Sequence, residues 1–256
     1  MNEERTTLVA AGHRLEARAL SGKGPTLVYL HEGLGSVAQW RDLPDRVASA
    51  LGFPALVYSR AGYGGSDPVA LPRPVRFMHD EAEGALPDVL RAAGIGDFIL
   101  VGHSDGASIA LLYAGRFASP RLRGVVAIAP HVFVEERSVR AIAAARVAYE
   151  QGDLRVRLAK YHGENVDCAF RGWNDVWLSP EFRAWNIERE CEGITCPVLV
   201  LQGLADEYGT TGQVERLAAR CSGRVEARIW ESCGHSPQRD RTEETIAAIV
   251  AFARTV

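Results

Sequence analysis

The amino-acid sequence predicts an α/β protein: a mostly parallel sheet of about eight strands with helices on both faces. Three observations predict it. Short apolar runs of strand length recur along the chain. Helix-length segments separate most of them. The 256 residues, 47% of them hydrophobic, are enough to bury one large core rather than two small ones.

LEARAL (15–20) reads as an antiparallel edge strand ahead of the parallel series. TLVYL (26–30), ALVYS (55–59), FILVG (98–102), VVAIA (125–129), VLVLQ (198–202) and EARIW (226–230) have the character of strands buried on both faces. Helices are expected over 40–51, 76–93, 105–116, 210–220 and 242–254, and the alternation implies right-handed crossovers. The rhythm breaks once. Between VVAIAP and CPVLVLQ lie roughly 60 residues without a convincing strand, rich in helix formers early and in aromatics later, and too long for bare loop. Residues 131–193 are therefore expected to form a helical insertion over the C-terminal edge of the sheet, where open α/β proteins bind ligands. Residues 1–130 and 194–256 then make up the core.

Composition excludes several classes. The net charge is −3 and basic residues are scattered among acidic ones, so no nucleic-acid partner is expected. The opening stretch carries charges where a signal peptide needs an apolar centre, and no run approaches the roughly 18 apolar residues of a membrane span. The expectation is a cytoplasmic protein with no membrane partner. Its five cysteines are odd in number, widely spaced and without a CxxC pair, which argues against a disulfide framework and a zinc site. Neither metal nor cofactor is expected.

Gly102-His103-Ser104-Asp105-Gly106 has the G-x-S-x-G form, follows a strand and opens a helix, the context of a nucleophile elbow. At so sharp a turn the serine holds strained dihedrals, and side chains at the flanking glycines would meet the neighbouring strand and helix. A serine hydroxyl needs a base to take its proton, and the base needs an acid to fix its tautomer. Asp206 lies just beyond VLVLQG and His235 on the loop after EARIW, so the chain order is Ser, Asp, His. Glu207 is the competing acid; Asp206 is preferred for its spacing from Gly203. The oxyanion hole would combine the backbone N–H groups of Asp105 and Gly33, the latter on the glycine-rich turn after TLVYL. His31 reads as a buttress of that turn.

The chain resembles the alpha/beta-hydrolase-fold enzymes with a helical cap, the branch of small-molecule esterases, lactonases, haloalkane dehalogenases and carbon–carbon hydrolases. HEGLGS resembles the family's oxyanion loop, SRAGYGGSD its glycine-rich turn, GHSDG its elbow, GLADEY its acid loop and CGHSP its histidine loop. The resemblance implies a serine hydrolase whose partners are a small-molecule substrate and water. Ser104 argues against dehalogenation, which places Asp at that position. Small esters or lactones are the first expectation, ring-cleavage carbon–carbon hydrolysis the second, and a non-catalytic ligand receptor of the same fold the third.

Two residues depart from the family pattern. Glu32 stands where glycine is usual, and Asp105 where many members carry an uncharged residue. Each carboxylate has two readings: recognition of a cationic or hydroxylated substrate group, or service to loop backbone and helix N-terminus. Glu32, His131, Trp173 and Trp177 are candidate substrate contacts. Phe170, Phe182 and Trp185 read as pocket lining or as packing between insertion and sheet. HDEAEG (79–84) reads as a solvated helix face, RVRLAKYH (155–162) as an exposed surface and Cys233 as packing.

Overall fold

The computed structural model describes residues 3–256. Eight strands form one sheet: β1 (Glu3–Ala10), β2 (His13–Leu20), β3 (Thr26–Leu30), β4 (Ala55–Tyr58), β5 (Phe98–His103), β6 (Leu122–Ile128), β7 (Val198–Gly203) and β8 (Val225–Trp230). Their spatial order is β1-β2-β4-β3-β5-β6-β7-β8. The pairs β1/β2 and β2/β4 are antiparallel, and β4 through β8 run parallel.

The central strands are apolar throughout because the sheet is covered on both sides, and successive side chains point to opposite faces. Val28, Leu30, Leu100, Val125, Ala127, Val198 and Val200 enter one core; Leu27, Tyr29, Ile99, Val101, Val126, Ile128, Leu199 and Leu201 enter the other. Helix α1 (Leu43–Leu51) closes the second core together with a helix from the far end of the chain. The first core is covered by a segment running through α2 (Phe77–Asp80), a π turn over Glu81–Ala85 and α3 (Leu86–Ala92), and by α4 (Asp105–Phe117). Between β6 and β7 stand α5 (Glu136–Gln151), α6 (Leu154–His162), α7 (Val166–Trp177) and the short α8 (Glu188–Cys191). After β7 come α9 (Gly212–Arg220), α10 (Pro237–Asp240) and α11 (Thr242–Ala253), the last completing the second core with Ile246, Ile249 and Phe252.

Four sequence readings change. β2 is antiparallel but not an edge strand, because β1 pairs with it through a tight hairpin. β8 is not buried on both faces: it is the far edge, Ile229 is exposed, and its charged side chains suit an unpaired edge. HDEAEG is only partly solvated, since Ala82 is buried and Glu81 pairs with the nearly buried Arg73 at 3.7 Å. RVRLAKYH ends on a buried residue, His162.

The turn from β5 into α4 is among the closest backbone approaches in the fold. Ser104 has φ 52° and ψ −120°, a conformation few L residues adopt. A Cβ on Gly102 would strike the backbone of Gly106 and Ala107, and one on Gly106 would strike the Leu30 carbonyl at the end of β3. Gly106→Ala is expected to lower folding stability by about 1–3 kcal/mol through this backbone clash, read as a lower urea midpoint. An unchanged midpoint would show that α4 can retreat from β3.

Candidate active site

A cavity of about 230 Å³ opens at the C-terminal ends of the central strands. It is lined by Glu32, Gly33, Ser104, Asp105, His131, Trp173, Trp177 and His235, which gathers every sequence-predicted site residue except Asp206. Asp206 stands behind His235. A larger cavity of about 450 Å³, beside β2 and the 77–92 segment, includes none of these residues.

His235 Nδ1 lies 2.9 Å from both carboxylate oxygens of Asp206. The Tyr208 and Gly209 N–H groups donate to Asp206 Oδ1 at 2.7 and 3.1 Å, and Gln202 Nε2 donates to Oδ2 at 2.8 Å. Burial alone would raise the Asp206 pKa, but the bond to His235, its charge and the backbone donors outweigh burial and lower it to about 2. An ionised acceptor at Nδ1 holds that proton there and leaves Nε2 as the basic nitrogen. Glu207 does not reach the ring; its Oε2 accepts the His235 backbone N–H at 3.3 Å. The loop is braced from α5, where Arg137 donates to the Asp206 carbonyl at 2.6 Å, and by Glu135, which accepts from Thr210.

Ser104 sits at the head of α4, its N–H bonded to the Ile128 carbonyl at 2.9 Å. Two amides beside it are free. Gly33 N–H has no acceptor among the described residues, and Asp105 N–H, first in its helix, has no intrahelical partner. Gly33 is held from above, where a Cβ would collide with the Trp173 indole. The turn carrying Gly33 is held from below by His31, whose Nδ1–H donates to the Glu32 carbonyl at 2.7 Å while Nε2 accepts the Arg60 N–H at 3.0 Å. Burial first, and the Arg60 charge second, push the His31 pKa well down, so this ring is neutral.

Sequence reasoning missed three partners. His103, the variable second residue of the elbow, is buried; its Nε2 donates to the His235 carbonyl at 2.8 Å, and its Nδ1 lies 3.0 Å from Gln238 Nε2 and 3.4 Å from Glu32 Oε2. It thereby joins the serine strand to the histidine loop. Burial would raise the Glu32 pKa, but His103, then Arg239 at 3.6 Å, hold it well below the usual carboxylate range. His162 ties α6 to the core: Nδ1 accepts the Gly64 N–H and Nε2 donates to the Leu34 carbonyl, both at 3.0 Å. Trp177 donates its indole N–H to Asp105 Oδ1 at 3.2 Å.

The aromatics divide in two. Trp173 and Trp177 reach the cavity; Phe170 stacks on Tyr149 at 3.7 Å and Phe182 on Trp185 at 5.4 Å, which is packing. Cys233 is buried, and burial pushes its thiol up to about 11.

Residues 27–248 match the model of the alpha/beta hydrolase family. The chain belongs to that family. No protein with a curated description matches it in sequence. Among solved structures it is similar to a bacterial membrane phospholipase A (TM-score 0.80, 20% identity, 99% of this chain and 86% of the other). It is similar also to an esterase from Exiguobacterium antarcticum (TM-score 0.76, 16% identity, 98% and 100%). A third is the enol-lactonase from Burkholderia xenovorans LB400 (TM-score 0.74, 20% identity, 97% and 100%). At these identities the likeness is one of fold. No helix among the described residues is long and apolar enough to cross a membrane.

His131 is buried beside His235, and desolvation, then the like charge of His235, lowers its pKa from 6.5 to about 3. The unfolded chain therefore binds one more proton than the folded one between those values, so this residue erodes stability as pH falls from 6.5 towards 3. His131→Phe is expected to reduce the slope of unfolding free energy against pH in that window by up to about 1.4 kcal/mol per pH unit, measured by denaturant titration. A slope equal to that of the wild type would show that His131 is already protonated when folded.

Proposed function

We propose that the protein is a serine hydrolase of small carboxylic esters or lactones acting through an acyl-enzyme. The observation that carries this reading is the strained Ser104 turn in one cavity with His235, whose Nδ1 is held by the ionised Asp206. Ser104 Oγ attacks the carbonyl carbon while His235 Nε2 takes its proton. The oxyanion that forms is held by the free N–H groups of Gly33 and Asp105, aided by the positive end of α4. Collapse expels the alcohol, which takes the proton from His235. Water, activated by the same nitrogen, then releases the acid and restores Ser104.

The helices between β6 and β7 act in this reading as a cap, with Trp173 and Trp177 closing the cavity over the reacting atoms. Its volume suits a small substrate, and the names of two proteins of like fold, an esterase and an enol-lactonase, accord with ester chemistry. Water and one small molecule are the only partners the chemistry requires.

Ser104→Ala is expected to cut turnover of aryl esters by on the order of a millionfold, and to abolish labelling by a fluorophosphonate serine probe, with an unchanged melting temperature. Residual activity of more than a few per cent, in enzyme free of wild type, would remove Ser104 from the mechanism. Asp206→Asn should slow acylation by on the order of 10⁴-fold, because the imidazole loses the tautomer that leaves Nε2 basic. Glu207→Gln should cost far less, and pre-steady-state acylation rates decide between them. The reverse ranking would make Glu207 the acid.

A further inference from the structure

Two buried side chains in the catalytic cavity carry polar atoms without a partner among the described residues. Asp105 is fully buried; Trp177 satisfies Oδ1, and Oδ2 has no donor. His131 is 2% exposed; its Nδ1 is unpartnered and its ring meets the same Trp177 edge-on at 5.1 Å. Buried polar atoms are rarely left unpaired, because each keeps its desolvation cost until a partner arrives. The helix does not supply that partner: no N–H of α4 donates to the Asp105 carboxyl, so helix capping does not explain it.

The surrounding charge defines what such a partner can be. Arg60 and Arg73, each with its guanidinium carbon 5.0 Å from the centre of the Tyr63 ring, both act on the Asp105 carboxyl, as does His235. An ammonium group brought to Oδ2 would enter a neighbourhood already supplied with cations, whereas a neutral O–H donor meets no such repulsion. Position limits the reach. The Asp105 N–H is one of the two donors assigned to the oxyanion, so a group bonded to the same residue's carboxyl lies within a few bonds of the ester carbonyl.

We propose that the substrate carries a neutral hydroxyl close to its ester carbonyl, and that this hydroxyl donates to Asp105 Oδ2. His131 Nδ1, unpartnered beside the same indole, is the second polar atom available to it. The inference rests on the ester-hydrolase reading and names the substrate class for that cavity. It also selects between the two sequence-based uses of Asp105, in favour of substrate recognition.

The experiment uses two matched pairs, one for each side of the ester: para-nitrophenyl β-hydroxybutyrate against para-nitrophenyl butyrate, and hydroxyethyl butyrate against propyl butyrate. The readout is the ratio of kcat/KM within each pair, in wild type and in Asp105→Asn, where the Trp177 N–H selects the amide oxygen and turns its NH₂ towards the cavity. Wild type is expected to favour the hydroxyl-bearing member of at least one pair by roughly 10- to 100-fold, and Asp105→Asn to bring that ratio close to one. The favoured pair identifies the side that bears the hydroxyl. No preference in either pair, or a preference that survives Asp105→Asn, overturns the inference and leaves the hydrolase reading standing. Binding of the same esters to Ser104→Ala, by calorimetry, separates the two failures. Preferential binding without wild-type turnover overturns the hydrolase reading alone. Absence of both turnover and preference overturns both.

Discussion

Everything at the candidate site depends on how closely α4 approaches the ends of β3 and β5. With no Cβ at Gly102 or Gly106, the helix start comes down onto the Leu30 carbonyl and the backbone of β5. That approach holds Ser104 in its positive-φ conformation and places Ser104 and Asp105 in one cavity with Gly33. A looser turn would relax the serine backbone and separate the two free amides. The strain is sustained by the packing around it, since α4 is buried from Asp105 to Ala114 and the Ser104 carbonyl accepts from the Ala107 and Ser108 N–H groups.

Around that fixed point the other loops are tied to one another rather than only to the sheet. His103 links the serine strand to the His235 carbonyl, Glu32 Oε2 lies 3.4 Å from His103 Nδ1, and Arg239 from α10 comes back to Glu32. The segments between β6 and β7 are secured at several points, among them Arg137 on the Asp206 carbonyl, His162 across Gly64 and Leu34, and Trp177 on Asp105. Ser108 adds a tie from within α4, accepting the His131 N–H and donating to its carbonyl. Such contacts join elements far apart in sequence, and several of them hold segments that line the cavity.

Much of this was legible in the sequence, for an identifiable reason. The strands β3 to β7 are buried on both faces, so their apolar runs stand out; the elbow follows β5 and Asp206 follows β7 directly, while His235 lies on the loop after β8. β1 was not legible: Glu3–Ala10 is largely polar and declares itself only through pairing with β2 across Ala11 and Gly12, both at positive φ (50° and 76°). Alanine in that conformation is an unusual turn signal. β8 was misjudged because EARIW alternates charge with apolar residues, a pattern suited to an edge. His103 and His162 were missed for a different reason: their roles lie in partners 132 and 98 positions away, and local spacing carries no trace of either. The Trp177 to Asp105 bond, across 72 positions, is of the same kind.

A carboxylate beside the proposed oxyanion donors would oppose the charge that develops in the proposed reaction, and the surroundings of Asp105 bear on that conflict. Burial raises its pKa to about 6, while Arg60, the Trp177 indole N–H, His235 and Arg73 each pull the other way. The charge is therefore partly neutralised by fixed groups behind the cavity, and at mildly acidic pH partly by a proton. Its two oxygens differ: one is pinned to the insertion through Trp177, the other is buried without a partner. A hydrophobic residue here would have packed more cheaply. Retaining an acid, tethering one oxygen and backing it with two guanidiniums is an arrangement that packing alone does not require, and it is the one the proposed hydroxyl-bearing substrate would use.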